Sequence, residues 1–299
     1  MNIFKKTHGS LQQNHPLASY TAWKIGGPAE YFYQPHDLKD LTLFLKNNSA
    51  TPILFLGAAT NVLIRDGGIK NIVVYLRGSL NELERIDQLT LRAEAGVSCS
   101  RLLQQALHFS MTEAAFLAGI PGTVGGALRM NAGAHGDSIW NHVTAVETIN
   151  KNGIIRLRNA QEFVHGYREV SGLDSQEWFI AGHFNFASGD LHKTEQHIRD
   201  LLLKRKASQP LDLPSCGSVF RNPPNDHAAR LIESCNLKGA RIGDAMISER
   251  HANFIVNLGN ATSDNVEELM EKIITTVEKV HATKLIPEVK IIGDKHQTE

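Results

Sequence analysis

The alternation of apolar and polar residues at the start of the chain predicts three strands and one amphipathic helix. The strands correspond to the apolar runs AEYFY at 29–33, PILFL at 52–56 and NIVVYL at 71–76. The helix at 37–48 has one apolar face, formed by Leu38, Leu41, Phe44 and Leu45. Asp37 precedes its first turn, where a carboxylate can accept backbone N–H groups. The predicted order is β-α-β-β, and we interpret the apolar helix face as packing surface only.

From about residue 80 to residue 187 the pattern changes to strands around a single helix. Strand-like runs lie at 89–96, 144–150, 153–158 and 177–187. The helix is expected at 99–109, with Ser98 as its cap. This region is therefore predicted to be a mixed α+β layer.

The last third follows a charged helix at 192–208, after which the proline-bearing segment 209–224 is a predicted hinge. Beyond it we expect a helix near 226–236, a strand at 251–257, a long helix at 264–282 and a closing strand at 288–292. The long helix carries an apolar stripe typical of a core-facing helix: Val266, Leu269, Met270, Ile273, Ile274, Val277 and Val280.

Composition narrows the class of protein. With 299 residues, 42% hydrophobic and 21% charged, the chain is predicted to be globular and to form two or three units that share a cleft. Its 31 basic and 31 acidic residues balance, so the protein has no net positive charge that would attract nucleic acid or an anionic membrane. No apolar run reaches membrane-spanning length, and residues 1–13 lack the apolar core of a signal peptide, so we expect a cytoplasmic protein.

Cysteine and histidine spacing gives no metal motif. Cys99, Cys216 and Cys235 are far apart and include no CxxC pair, which predicts reduced, mostly structural thiols. The 14 histidines include no HExxH sequence. We therefore expect no metal cofactor.

A glycine-rich segment at 119–126 suggests that something comes close to the backbone. Glycine permits left-handed conformations and has no Cβ, so successive N–H groups can converge on phosphate oxygens. The segment lacks the Gly-Lys-Ser/Thr end of a Walker loop, and alone it fits a tight structural turn equally well. Residues 131–136, 25–29 and 56–68 are also rich in small residues. Several such loops together suggest one long ligand, such as a dinucleotide that contains a flavin.

The order of these motifs resembles the UDP-N-acetylenolpyruvoylglucosamine reductase family from about Pro16 to Gly293. The motifs are TAWKIGGPA at 21–29, the loop at 57–68, the stretch at 119–136, GYR at 166–168, CGSVFRNP at 216–223, HANFIVN at 251–257 and PEVKIIG at 287–293. The resemblance implies an α+β chain with a two-part FAD-binding fold of the vanillyl-alcohol-oxidase type and a C-terminal α/β substrate-binding domain. The implied domains are residues 1–80 and 81–208 for the FAD subdomains and 209–287 for the substrate domain, with the strand 288–299 as a candidate to return to the second subdomain.

The resemblance also implies an activity and its ligands. In the family, NADPH reduces FAD, and flavin N5 then delivers hydride to the enolpyruvyl methylene carbon of UDP-N-acetyl-enolpyruvoylglucosamine. The product, UDP-N-acetylmuramate, serves bacterial cell-wall synthesis. FAD, NADPH and the nucleotide sugar are therefore the expected cofactors and partners, without nucleic acid, membrane or an obligate protein partner.

Three residues match the chemistry that this reaction needs, because negative charge builds up on the substrate and must be stabilised and then protonated. Ser218 matches the family's proton donor to the carbon next to the methylene. Arg168 matches the cation that pairs with the substrate carboxylate, for which a guanidinium fork is suited. Glu288 matches a carboxyl that must carry or share a proton to favour the enolate. Without the resemblance they would be a turn hydroxyl, a surface arginine and an exposed strand glutamate.

The remaining site residues follow from the resemblance. Cofactor contacts are expected from Gly57, Ala58, Ala59, Thr60, Asn61, Gly119, Ile120, Pro121, Gly122, Thr123, Gly125, Gly126, Asn131 and Gly133. Substrate contacts are expected from Tyr167, Arg205, Arg221 and Asn222. For His251 and Asn253, packing and substrate contact both remain open.

The chain departs from the family pattern in two places. Ala59 stands where the family more often has glycine, so its Cβ must avoid the pyrophosphate. No tyrosine-bearing insertion lies between Phe220 and His251, which indicates the shorter subtype.

Two alternatives stay open. The first is an FAD-dependent oxidase of the same fold, which would need neither NADPH nor Ser218. The second is a nucleotide-sugar-binding protein without turnover. The CGSVFRNP and PEV motifs argue against the oxidase, and Ser218, Arg168 and Glu288 argue against the binding protein.

Overall fold

The computed structural model describes residues 7–296, which form two compact units. The first unit contains the described residues up to Gln12, together with Tyr31–Ala58 and Asn71–Leu203. The second contains Gln13–Glu30, Ala59–Lys70 and the described residues from Lys204 onward. The division into 1–80, 81–208 and 209–287 stays a prediction, and its residues 1–6 lie outside the described part of the chain.

The first sheet confirms the predicted β-α-β-β order. It contains β1 (Ser10–Pro16), β2 (Pro28–Gln34), β3 (Ile53–Leu56) and, further along the chain, Ile69–Tyr75, which pairs with β3 in parallel. Helix α1 (Leu38–Asn47) begins at Asp37, whose side chain accepts the backbone N–H of Asp40. On the predicted apolar face of α1, Leu41, Phe44 and Leu45 are buried and Leu38 is partly buried. The Phe44 ring stacks on Tyr33 with their centroids 3.6 Å apart.

One segment expected to be a loop contains a strand. Residues Val62–Ile64 form β4, which makes Ile69–Tyr75 the strand β5. The last strand, Lys290–Ile292, pairs in parallel with β4, from Lys290 opposite Val62 to Ile292 opposite Ile64. The expected return of strand 288–299 to residues 81–208 is therefore wrong for its described part, because Leu63 and Val289 belong to the core of the second unit. Residues 297–299 lie outside the described chain.

The second sheet is antiparallel, and all five of its strands belong to the first unit. Its strands are β6 (Leu83–Arg85), β7 (Thr90–Glu94), β10 (Val143–Asn150), β11 (Ile155–Asn159) and β14 (Glu177–Asn185), in the order β11-β10-β14-β7-β6. Helix α2 (Cys99–His108) is capped by Ser98, as predicted. Between these strands lie α3 (Val124–Met130) and two small hairpins, β8–β9 (Gly133–Ala134, Asp137–Ser138) and β12–β13 (Val164–Gly166, Glu169–Ser171).

The second unit is built on a three-stranded antiparallel sheet and two helices. Helix α4 (Leu191–Ser208) runs from the first unit into it. The sheet consists of β15 (Arg241–Ile242), β16 (Ala245–Ile247) and β17 (Ile255–Asn257), and the helices are α5 (Ala228–Ser234) and α6 (Ser263–His281); Lys290–Ile292 is β18.

Two sequence predictions for this unit need correction. The strand predicted at 251–257 is formed only from Ile255, because the side chains of His251 and Asn253 bind nearby backbone groups in a turn. The stripe on α6 is buried or partly buried except for Val280, which is 57% exposed. Val280 lies in the last turn, just before Ala282 ends the helix in the left-handed region.

Within residues 7–296, no helix combines the length and the apolar character needed to cross a membrane.

Candidate functional site

The two predicted glycine loops of the first unit meet at Gly57 and Thr123. A Cβ added to Gly57 would lie 2.6 Å from Thr123 Oγ1, so the bare Cα faces the hydroxyl closely. Thr123 is 2% exposed and precedes α3, yet its hydroxyl makes no capping bond and has no hydrogen-bond partner among the described residues. A buried hydroxyl without a partner costs free energy unless a ligand satisfies it. The buried hydroxyl therefore suits a polar ligand group such as the FAD pyrophosphate, whereas the missing side chain of Gly57 is explained by its contact with Thr123.

Other glycines of the same segment have reasons within the protein. Gly119 and Gly122 have φ values of 79° and 114°, which a side chain would strain. A Cβ on Gly125 would lie 2.8 Å from the Cβ of Ala95, whereas Gly126 is exposed. Cofactor contacts for these glycines, and for the neighbouring Ile120 and Pro121, stay predictions.

The small-residue loop at 25–29 is explained by packing. A Cβ on Gly27 would lie 2.2 Å from the carbonyl oxygen of Asp66, and the N–H of Gly27 donates to the Arg65 carbonyl. The glycines of this loop thus have a reason within the protein, and a ligand contact for the loop stays a prediction.

Residues 131–136 lead from the end of α3 into the β8–β9 hairpin, and two of their carbonyls hold Arg168. Asn131 ends α3 with φ of 41°, and its Nδ2 donates to the Gly166 carbonyl at 2.9 Å. Arg168 Nη1 donates to the carbonyl of Gly133 at 3.1 Å. A Cβ on Gly133 would lie 2.3 Å from the Asp137 carbonyl, so this glycine is required by the hairpin itself.

Arg168 sits in a two-residue turn between β12 and β13, after the exposed Tyr167. Its φ is 57°, a conformation that costs a non-glycine residue about 1–2 kcal/mol. The guanidinium carbon lies 5.3 Å from the centroid of the Tyr167 ring. Such backbone strain at a non-glycine residue supports the hypothesis that this side chain has a function.

In the second unit, the segment of Ser218 runs beside that of Glu288. Arg221 N donates to the Ile286 carbonyl at 2.9 Å, and Glu288 N donates to the Val219 carbonyl at 2.8 Å. Ser218 is half-buried, and Glu288 is 7% exposed. The structure thus brings two of the three predicted catalytic residues onto adjacent antiparallel segments.

Cys216 lies in the same environment. Burial raises the pKa of its thiol. This supports the prediction of a reduced structural thiol here, because a thiol with a raised pKa forms little reactive thiolate.

The boundary between the two units falls within the loop 57–61, after Ala58. On the second-unit side, Asn61 Nδ2 donates to the Glu288 carbonyl at 3.1 Å, and Lys290 N donates to the Asn61 carbonyl at 3.0 Å. Ala59 is buried with φ of 45°, where glycine would fit without strain. Thr60 is half-buried, and a cofactor role for this loop stays a prediction.

The predicted substrate residues differ in whether their polar groups are already bonded within the protein. Arg221 Nε is buried without a hydrogen-bond partner among residues 7–296, which suits an anionic ligand. Desolvation lowers the pKa of Arg205. Asn222 Oδ1 accepts the N–H of Ala228 at 3.1 Å and so satisfies the start of α5.

Asn253 is the residue whose role the sequence left open. It is 3% exposed, and its side chain bonds both main-chain groups of Phe220. An amide inside the otherwise apolar run HANFIVN is the signal that could have indicated such a role.

No group of three or more His, Cys, Asp or Glu side chains in the described chain is arranged to hold a metal ion.

Comparison with known proteins gives one consistent result. A family model described as an FAD binding domain matches residues 29–158, and one described as the C-terminal domain of UDP-N-acetylenolpyruvoylglucosamine reductase matches residues 209–292. The reductase of that name from Legionella pneumophila (strain Paris) is 48% identical over 291 residues, 97% of this chain and 96% of the relative. The one from Alkalilimnicola ehrlichii is 46% identical over 287 residues, 96% of each chain.

A solved structure agrees. UDP-N-acetylenolpyruvylglucosamine reductase from Thermus caldophilus is 29% identical, with a TM-score of 0.81 over 96% of this chain and 99% of that one. The predicted fold class, an FAD-binding fold followed by a C-terminal domain, is confirmed.

Proposed function

The chain belongs to the UDP-N-acetylenolpyruvoylglucosamine reductase family, and from that premise we propose how its residues carry out the reaction. It is an FAD-containing oxidoreductase that uses NADPH to reduce UDP-N-acetylenolpyruvoylglucosamine in peptidoglycan precursor synthesis. The observation that carries the proposed residue roles is the pairing of residues 219–221 with 286–288, which puts Ser218 and Glu288 on neighbouring antiparallel segments.

FAD binding is assigned to the first unit's glycine segments and to the loop 57–61. When bound, FAD carries the electrons from NADPH to the substrate. Thr123 gives a buried hydroxyl in need of a partner, and the bare Cα of Gly57 packs closely against it. We assign residues 1–80 and 81–208 to this function and 209–287 to the substrate.

Arg168 binds and orients the substrate carboxylate. Its planar guanidinium offers parallel N–H donors, and the strained turn that carries it is fixed by the Asn131–Gly133 carbonyls. As negative charge spreads into the carboxylate, this contact strengthens, so it favours the transition state more than the bound substrate.

Ser218 gives its hydroxyl proton to the carbon next to the reduced methylene. A hydroxyl is neutral before the reaction, so it does not have to be desolvated as an ion. Glu288, on the neighbouring segment, carries or shares a proton, because an ionised carboxylate would repel the charge that builds up on the substrate. Arg221, with its buried Nε, and Arg205 bind diphosphate oxygens, while Asn222 and Tyr167 contact the sugar. We propose the cytoplasm as the site of action.

The experiment follows the flavin absorbance of the purified protein without oxygen. NADPH should bleach the flavin, and the enolpyruvyl nucleotide sugar should restore its colour. A colourless protein that FAD cannot reconstitute would refute the assignment. Ser218→Ala should leave bleaching by NADPH nearly intact and slow recovery with the sugar by about 100-fold or more. Equal loss in both halves would mean that Ser218 is structural.

A further inference from the structure

Asn253 lies beside the segment that carries Ser218 but is closed off from ligands. It occupies the turn before β17, and only 3% of it is exposed. All the polar groups of its side chain bond the main chain of Phe220: Phe220 N donates to Oδ1 at 2.9 Å, and Nδ2 donates to Phe220 O at 2.8 Å.

The three peptide planes that follow Ser218 are each held by Asn253. The Val219 N–H donates to the Asn253 carbonyl at 2.9 Å, which fixes the first plane. The second plane is held by Oδ1, and the third by Nδ2. On the opposite edge, Glu288 N bonds the second plane and Ile286 O bonds the third. The second and third planes are therefore held from both sides, by Asn253 and by the Glu288 segment, whereas the first plane is held by Asn253.

A primary amide suits this position because it presents a donor and an acceptor in one plane, as a peptide group does. On the other side of Ser218, Gly217 has φ of 84° and no side chain to pack. The direction of the Ser218 hydroxyl therefore depends on the planes that follow it, and these depend on Asn253.

We propose that Asn253 is a positioning residue for the reaction, which holds the backbone after Ser218 and so fixes the direction of the serine hydroxyl. The proposal rests on the proposed function, in which Ser218 delivers the proton.

The test compares Asn253→Asp with Asn257→Asp in the holoenzyme. Asn257 is 2% exposed and belongs to the same unit; its Nδ2 donates to the Trp23 carbonyl, and its Oδ1 accepts from Gly259 and Ala261. Each substitution keeps the acceptor and removes the donor to one buried carbonyl. Both should lower the thermal midpoint, which measures the structural cost that they share.

Only Asn253→Asp should slow flavin reoxidation by saturating UDP-N-acetylenolpyruvoylglucosamine, by about 100-fold, because a reacting group displaced by about 1 Å costs a rate factor of this order. Flavin reduction by NADPH should stay within about twofold in both variants. Similar reoxidation rates in the two variants would overturn the positioning role.

Two further outcomes are distinguishable. If the wild-type flavin is not reoxidised by the sugar, the proposed function fails before any variant is compared. If Asn253→Asp does not fold, Asn253→Ser and Asn257→Ser are measured in the same way. Failure of both Asn253 variants to fold, while the Asn257 variants fold, would show a folding role instead and overturn the proposal.

Discussion

If the Thr123 hydroxyl binds the cofactor, Thr123→Val should stabilise the apo-protein and weaken FAD binding. Valine has the same shape but carries a methyl group where Thr123 has its buried hydroxyl without a partner. Burying such a hydroxyl costs about 1–3 kcal/mol, so its removal should stabilise the apo-protein by about 1 kcal/mol. Because Thr123 makes no capping bond to α3, no compensating helix contact is lost.

FAD binding, by contrast, should become weaker in the variant. If FAD satisfies the hydroxyl through a charged pyrophosphate oxygen, the lost hydrogen bond is worth about 1.5–3 kcal/mol, or about 10- to 150-fold in the FAD dissociation constant. The assay is urea denaturation of the apo-protein, together with a titration of FAD monitored by flavin fluorescence.

Thr148→Val is the matched control. Thr148 is fully buried in the same unit, but its hydroxyl donates to Glu177 Oε1 at 2.6 Å. This variant should destabilise the apo-protein and leave FAD affinity unchanged. The reasoning is refuted if Thr123→Val destabilises the apo-protein as Thr148→Val does, or if its FAD affinity equals that of the wild type.

Two further predictions concern charged groups. Arg168→Lys keeps the charge and loses the planar fork, so kcat/KM for the nucleotide sugar should fall about 10-fold or more while flavin reduction by NADPH is unchanged; an equal loss in both half-reactions would contradict the carboxylate role. The hydrogen bond from Arg92 is the main cause that lowers the pKa of Glu147 to about 2, and His183 adds to it. Because the folded pKa is depressed, the stabilisation is complete above the unfolded value of about 4.3 and is lost as pH falls towards 2. Glu147→Gln should therefore lower the denaturation midpoint at neutral pH and flatten its decline in acid; an unchanged acid profile would count against it.

Elements with a local signal could be predicted from the sequence. Helix α1 is predicted by its apolar spacing and by Asp37 before its first turn, and α2 by its cap Ser98. Both signals are local, because caps and periodicity involve residues within about one helical turn of each other. Val280 was the exception, since periodicity does not show where the core beneath a helix ends.

Features that depend on distant partners could not be predicted. Strand β4 is only three residues long and is defined by its pairing with β18 near the opposite end of the chain. The sequence also does not show that Gly27 and Gly125 let Asp66 and Ala95 come close to them, because these contacts depend on the folded chain. The roles predicted for Ser218, Arg168 and Glu288 rest on the family resemblance. The role of Asn253 could be inferred only from the structure, because the sequence does not show which groups a buried amide bonds.

The discontinuous second unit has a consequence for synthesis on the ribosome. Trp23 is fully buried, and its indole N–H donates to the carbonyl of Ile255, 232 positions later. At roughly 5–20 residues per second, that partner is translated roughly 10–50 s after the tryptophan. Throughout this interval Trp23 lacks the residues that bury it in the folded protein. The nascent chain therefore exposes an apolar segment that chaperones can bind until the residues around Ile255 are made.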